Sequence, residues 1–204
     1  MLADVLEHDG ETPVAISPRA ILRGQIARLA DLGYGAQMAS ELEFFLFEES
    51  FEAAEAQGYR GLKPISSYNE DYHIFQTAKE EGVMRASRNA LYGAGIPVEG
   101  TKGEASAGQA ELNIRHADPL TAADNHVIAK AAAKAIAWSQ GRALTFLAKW
   151  DDVAAGPSCH VHQSLAEAGA RPALFDRGRR PGMSQTLAPH PAGALPPATQ
   201  SPPL

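Results

Sequence analysis

The octapeptide SELEFFLF, residues 40 to 47, constrains the chain more than any other stretch. Its alternation predicts a β-strand with Ser40, Leu42, Phe44 and Leu46 on one face and Glu41, Glu43, Phe45 and Phe47 on the other. Two acids on one strand face lie roughly 6.7 Å apart, and at an effective dielectric of about 20 their repulsion is on the order of 2 to 3 kcal/mol. Either a cation relieves that repulsion, or the strand is a sheet edge whose charged face is solvated. The octapeptide alone leaves both readings open.

Other features narrow the chemistry. A net charge of −6 and a pI near 5.6 argue against nucleic acid or an anionic membrane as partner, because both select basic surfaces. There is no apolar run of 18 residues and no basic-then-apolar N-terminus, so neither a membrane span nor a signal peptide is expected, and a cytoplasmic location is. Cys159 is the only cysteine, which excludes an internal disulfide and any multi-cysteine metal cluster. A bound metal would have to be held by carboxylates and histidines.

The composition changes near residue 166. Beyond it lie 8 of the 14 prolines and no Ile, Val, Tyr, Trp, Asn or Lys, too little from which to build a core. Residues 1 to 165 are expected to be globular. Residues 166 to 204 are expected to form a Pro/Ala-rich tail, disordered or, from about residue 186, translated from a shifted reading frame. Within the globular part a helix is predicted after Ser17 as N-cap, with Pro18 at its first position and Gly33 past its end. A strand follows at 36 to 47, a helix over 77 to 95, and strands at 96 to 100 and 109 to 115. A long helix is expected over 121 to 141, with Thr121 and Asp124 as a capping-box variant, then strands at 143 to 150 and 158 to 165. The expected fold class is α+β, an antiparallel or mixed sheet with flanking helices.

The rule of two places further polar groups on strand faces. Glu111, Asn113 and Arg115 share one face opposite Leu112 and Ile114, and Glu104 precedes a Gly-containing turn. Ser158, His160, His162 and Ser164 share another face. A sheet surface collecting Glu41, Glu43, Glu104, Glu111, His160 and His162 would suit a divalent ion, Mg²⁺ or Mn²⁺. Each piece is weak alone: a pair of histidines is often structural, and H-x-H strands also occur in zinc hydrolases.

Taken in order, ELEFFLF, GIPVEGTKGEASAGQAELNIRHADPLTAADNHVIAKAAAKAIAW, GRALTFLAKW and SCHVHQSL resemble the catalytic domain of the glutamine synthetase superfamily over roughly residues 1 to 165. The resemblance implies an incomplete catalytic domain of an ATP-dependent ligase. Such enzymes join glutamate to ammonia or an amine through γ-glutamyl phosphate, using two Mg²⁺ or Mn²⁺ sites. By resemblance, Glu43, Glu104 and Glu111 match ligands of the metal nearer glutamate, while Glu41 and His160 match two ligands of the metal that bridges the ATP phosphates. Glu99 and Ser164 match nucleotide-contacting positions, and His162 matches one that meets the phosphates; no residue is assigned a catalytic role.

Three departures bear on activity. The family's small N-terminal β-domain, which closes a neighbour's active site in its ring-shaped oligomers, is not matched, so the ring assembly is not carried over to this chain. Ala155 stands where the family has an Asn that contacts glutamate, which together with residues 68 to 100 gives the chain the look of the branch that glutamylates larger amines such as polyamines or ethanolamine. The sixth metal ligand, the arginines that hold ATP and glutamate, and the flap over the acyl phosphate are also not matched after about residue 165 to 185. This chain alone is therefore expected to be inactive, and a non-catalytic remnant retaining the fold and metal or subunit contacts is the alternative reading.

Overall fold

A computed structural model describes residues 2–167, 171–174, 178, 184–187 and 190. In chain order the elements are α1 (Pro18–Asp31), β1 (Tyr34–Phe47), α2 (Phe51–Ala56), α3 (Ile74–Thr77), α4 (Glu81–Gly93), β2 (Val98–Gly103), β3 (Gln109–Ile114), α5 (Pro119–Ser139), β4 (Ala143–Thr145), β5 (Cys159–Glu167) and β6 (Arg171–Pro172). Strand pairing runs β2-β3-β1-β5-β6, with β4 also on β1. The pairs β1·β3, β1·β4, β2·β3 and β5·β6 are antiparallel, so the class is α+β as expected. Most of the expected tail lies outside the described residues. Among those described, no helix is long and apolar enough to cross a membrane.

The chain divides into two compact units. The first comprises residues 1–38, 118–120 and 163–204. In it, Asp4 accepts from Arg19 Nε at 2.7 Å and from Arg23 Nη2 at 3.1 Å, tying the N-terminal segment to α1. Pro18 starts α1 where its missing N–H is no loss, and Gly33 at φ +83° leaves the helix in a conformation that disfavours a side chain.

The second unit comprises residues 39–117 and 121–162 and contains the acidic strand. Leu42, Phe44 and Leu46 of β1 join Ala110, Leu112 and Ile114 of β3 in one buried cluster. Val83, Met84 and Leu91 of α4 and Ala129, Ala133 and Ala137 of α5 complete it. The three alanines recur every four residues, one small stripe of α5, and they are essentially inaccessible to solvent. Phe45 and Phe47, on the opposite face of β1, pack with Ala54, Ala143 and Trp150, the Trp150 ring centroid lying 5.2 and 4.8 Å from the two phenylalanines. The C-terminal half of β1 is therefore buried on both faces. Each such aromatic contributes about 1.5 to 3 kcal/mol by burial, which anchors the strand that carries Glu41 and Glu43.

Several boundaries differ from expectation, each for a local reason. The helix expected over 77 to 95 is shorter, α4 over Glu81–Gly93, while Thr77 closes the short α3; between the two Glu80 is 1% exposed, its side chain turned in against Glu70. α5 starts at Pro119, two residues before the expected cap, because proline is well suited to a first turn; Thr121 lies inside the helix. The second sheet strand spans 98–103 rather than 96–100, since Thr101, Lys102 and Gly103 pair with Leu112, Glu111 and Ala110. Only Ala143–Thr145 of the expected 143 to 150 strand pairs, after which Asp151 Oδ1 accepts from the backbone N–H groups of Val153 and Ala154 in a turn.

Candidate metal centre

The register of the sheet gathers the acids. Glu43 on β1 lies directly opposite Glu111 on β3, Glu41 lies opposite Asn113, and Glu111 is in turn opposite Lys102 on β2. His160 Nδ1 and His162 Nε2 of β5 each stand 2.9 Å from one oxygen of Glu41. Glu43 accepts from Gln109 Nε2 at 2.7 Å, from the Ser158 N–H at 3.0 Å, and from the Ser158 hydroxyl. The repulsion inherent in E-x-E is thus relieved in two ways. Glu41 meets imidazoles, whereas Glu43 is held by neutral donors.

One ligand atom each from Glu43, Glu104 and Glu111 lie within 4.8 Å of one another, and so do one each from Glu41, Glu111 and His160. Glu111 belongs to both groups. Glu43 and Glu111 are 7% and 5% exposed, so this is a buried anionic focus beside a more open one formed by Glu41 and His160. Burial pushes the Glu111 carboxyl up; the hydrogen bond from Asn113 offsets part of that, and the charges of Glu104 and Glu41 push it further up. At Glu41 burial also acts upward, but the hydrogen bonds and charges of His162 and His160 outweigh it and leave the group below the usual range. Lys102 Nζ sits 2.6 Å from Glu104 Oε1 and 3.3 Å from Asp71 Oδ1, and these contacts, the first above all, raise the lysine.

Hard carboxylate oxygens with one imidazole, gathered within 4.8 Å in each group, form a donor set that fits Mg²⁺ or Mn²⁺. Glu99 and Ser164 are placed differently from the six central residues. Glu99 is the extra residue of a β-bulge between Val98 and Gly100, half exposed, with Arg115 Nε 3.6 Å away. Ser164 is exposed, two residues beyond His162 on β5. Ser66, Glu70, Asp71 and Lys102 surround the Glu104 turn; the first three lie between α2 and α3 outside any strand or helix, so no sequence period points to them. A cavity of about 610 Å³ is lined by Glu70, Tyr72, Glu80, Met84, Lys102 and Gly103 among others, and by none of the six central residues.

The family model described as the glutamine synthetase catalytic domain matches residues 15–202. A γ-glutamylethanolamide synthetase of Streptomyces coelicolor is 43% identical over 95% of this chain and 41% of its own length. A glutamate–isopropylamine ligase of a Pseudomonas species is 34% identical over 89% of the chain and 39% of its own. A glutamine synthetase of Thermus thermophilus is 34% identical over 96% of the chain and 42% of its own. The crystal structure of a glutamine synthase homologue superposes with a TM-score of 0.80 at 25% identity, covering 95% of this chain and 42% of that one. The chain thus spans about two fifths of the length of the relatives it matches.

Proposed function

Because the chain belongs to the glutamine synthetase catalytic-domain family, we propose that it carries the metal-holding part of an ATP-dependent γ-glutamyl ligase. The amide is formed from glutamate and an amine, as the names of two relatives suggest, with ammonia as the alternative nucleophile. ATP, glutamate and the amine would give ADP, phosphate and the γ-glutamyl amide. The observation that supports this most is the pair of overlapping ligand groups centred on Glu111.

Glu43, Glu104 and Glu111 would hold one divalent ion, and Glu41, Glu111 and His160 the other. Bound there, Mg²⁺ or Mn²⁺ would neutralise charge on phosphate oxygens, the main requirement of phosphoryl transfer. The protein's own contribution is rigidity. β1 is anchored by its phenylalanines, Gln109 and Ser158 fix the Glu43 carboxylate, and Asn113 Nδ2 donates to Glu111 Oε1 at 2.9 Å. His162 and Ser164, farther along the same strand, and Glu99 at the bulge are the residues we assign to nucleotide contact.

The test is calorimetric titration of the 204-residue protein with Mn²⁺ at neutral pH. Saturable binding of two ions is expected, weakened in Glu43→Ala and Glu111→Ala; no saturable binding would sink the metal assignment. In a γ-glutamyl hydroxamate assay with ATP, Mn²⁺ and glutamate, these residues by themselves are expected to turn over at background. Clear turnover would show that they already suffice for catalysis.

A further inference from the structure

The turn from Glu104 to Gln109 supplies one candidate ligand, Glu104, and the side chain that fixes another, Gln109 on Glu43. Its own hydrogen bonds are few: Glu104 N–H donates to the Gln109 carbonyl at 2.7 Å and Gln109 N–H to the Ser106 carbonyl at 3.1 Å. Ser106 N–H also donates to Gln109 Oε1 at 3.2 Å, Leu46 N–H donates to the Gly108 carbonyl at 2.8 Å and Ala155 N–H to Ser106 Oγ at 2.9 Å, and a further set of contacts comes from residues 66 to 71. Gly108 N–H donates to Glu70 Oε1 at 2.6 Å and to Ser66 Oγ at 2.8 Å, and the Ser66 hydroxyl also donates to Glu70 Oε1. The Glu70 N–H donates to the Glu104 carbonyl at 3.1 Å. Asp71 reaches Lys102, whose ammonium lies against the Glu104 carboxylate.

The fit leaves no room for slack. A Cβ on Gly103 would lie 2.6 Å from Glu70 Cβ and 2.8 Å from its carbonyl oxygen. Gly108 has φ +70°, and a Cβ there would lie 2.8 Å from the Leu46 carbonyl oxygen. Two glycines therefore let the turn seat directly on Glu70 and on β1. Glu70 itself is fully inaccessible to solvent, so its polar atoms serve the interior alone.

We infer that Glu70 is a positioning residue for the metal centre: by holding the Gly108 amide and the Glu104 carbonyl it sets where Glu104 and Gln109, and through Gln109 the Glu43 carboxylate, present themselves. The inference rests on the metal reading above, but the clasp itself is independent of any metal. Removing a partner that orients metal ligands typically weakens metal affinity about 10- to 100-fold.

The experiment compares Glu70→Ala, Glu70→Gln and Glu70→Met by Mn²⁺ calorimetry and by amide hydrogen exchange at Gly108 and Gln109. Glutamine keeps the oxygen that accepts from Gly108 and Ser66, and its amide can donate toward Glu80. Glu70→Ala is expected to weaken Mn²⁺ binding at least about 10-fold and to speed Gly108 exchange. Glu70→Gln is expected to restore both to within about threefold of the parent, whereas Glu70→Met, of similar volume but without the acceptor oxygen, is expected to behave like Glu70→Ala, which a packing role alone would not predict. Should Glu70→Ala not fold, Ser66→Ala removes one of the two Gly108 acceptors and leaves the buried acids in place; faster Gly108 exchange is again expected. Unchanged exchange and unchanged affinity in the variants would overturn the inference. If the parent binds no Mn²⁺ while Gly108 exchange responds as expected, the clasp stands and the metal reading falls.

Discussion

The second unit contains two pairs of glutamates, and they are handled in opposite ways. Glu41 and Glu43 sit on a strand face that meets histidines, Gln109 and Ser158, and they stay available to ligands. Glu70 and Glu80 are sealed, 0% and 1% exposed, each with a carboxylate oxygen that has no hydrogen-bond partner. Burial first, and then Glu70 beside it, pushes the Glu80 carboxyl up to about 10. One pair offers charge to a cation; the other keeps a proton. Crowded carboxylates alone therefore do not mark a metal site. What distinguishes the candidate centre is the imidazoles and the neutral donors that aim its oxygens.

The largest expected effect probes the sealed pair. Above about pH 4.5 the unfolded chain releases the Glu80 proton while the folded protein retains it up to about pH 10. Stability is then expected to fall as pH rises through that window, with a slope of up to about 1.4 kcal/mol per pH unit. Glu80→Gln should flatten the slope and raise stability at neutral pH, as read by urea melts between pH 5 and 9. A parent whose stability rises across that range would mean that Glu80 is ionised and the contrast between the pairs is false.

At the candidate metal centre, Glu43→Ala and Glu111→Ala should reduce Mn²⁺ affinity about 100-fold, while Glu80→Gln should leave it within about threefold. Glu111→Ala is expected to affect both ions, because its carboxylate is common to the two groups, and Glu43→Ala chiefly one; stoichiometry from calorimetry separates them. Saturating Mn²⁺ at about 100 times its dissociation constant should stabilise the protein by about 2.7 kcal/mol per site, a shift visible in a melt and absent in Glu111→Ala. The smallest effect is at Glu41, whose side chain is about a third exposed. Its lowered carboxyl contributes stability above about pH 4.5 that is lost as pH falls through the folded value. Glu41→Gln should cost under about 1 kcal/mol at pH 7 and nothing in acid, because solvent screens such pairs.

Local rules sufficed wherever a side chain's direction follows from the backbone. The period of two correctly sorts Leu42, Phe44 and Leu46 from Phe45 and Phe47, and Leu112 and Ile114 from Glu111 and Asn113, since strand side chains must alternate. Ser17, Pro18 and Gly33 bracket α1 by conformational preference alone. The same rules misplaced the starts of α5 and of α4, the latter lying just after Glu80, which turns in against Glu70 ten residues away.

Tertiary structure decided what depends on which strands meet. The identities of the acids and histidines follow from the sequence and its family resemblance. That Glu111 lies between Glu43 and Lys102, that both histidines converge on Glu41, and that residues 66 to 71 clasp the Glu104 turn are set by sheet register and loop packing between segments far apart in the chain. Protonation followed the same division. An isolated glutamate is ionised at neutral pH, and burial together with the neighbouring Glu70 carboxylate makes Glu80 keep its proton.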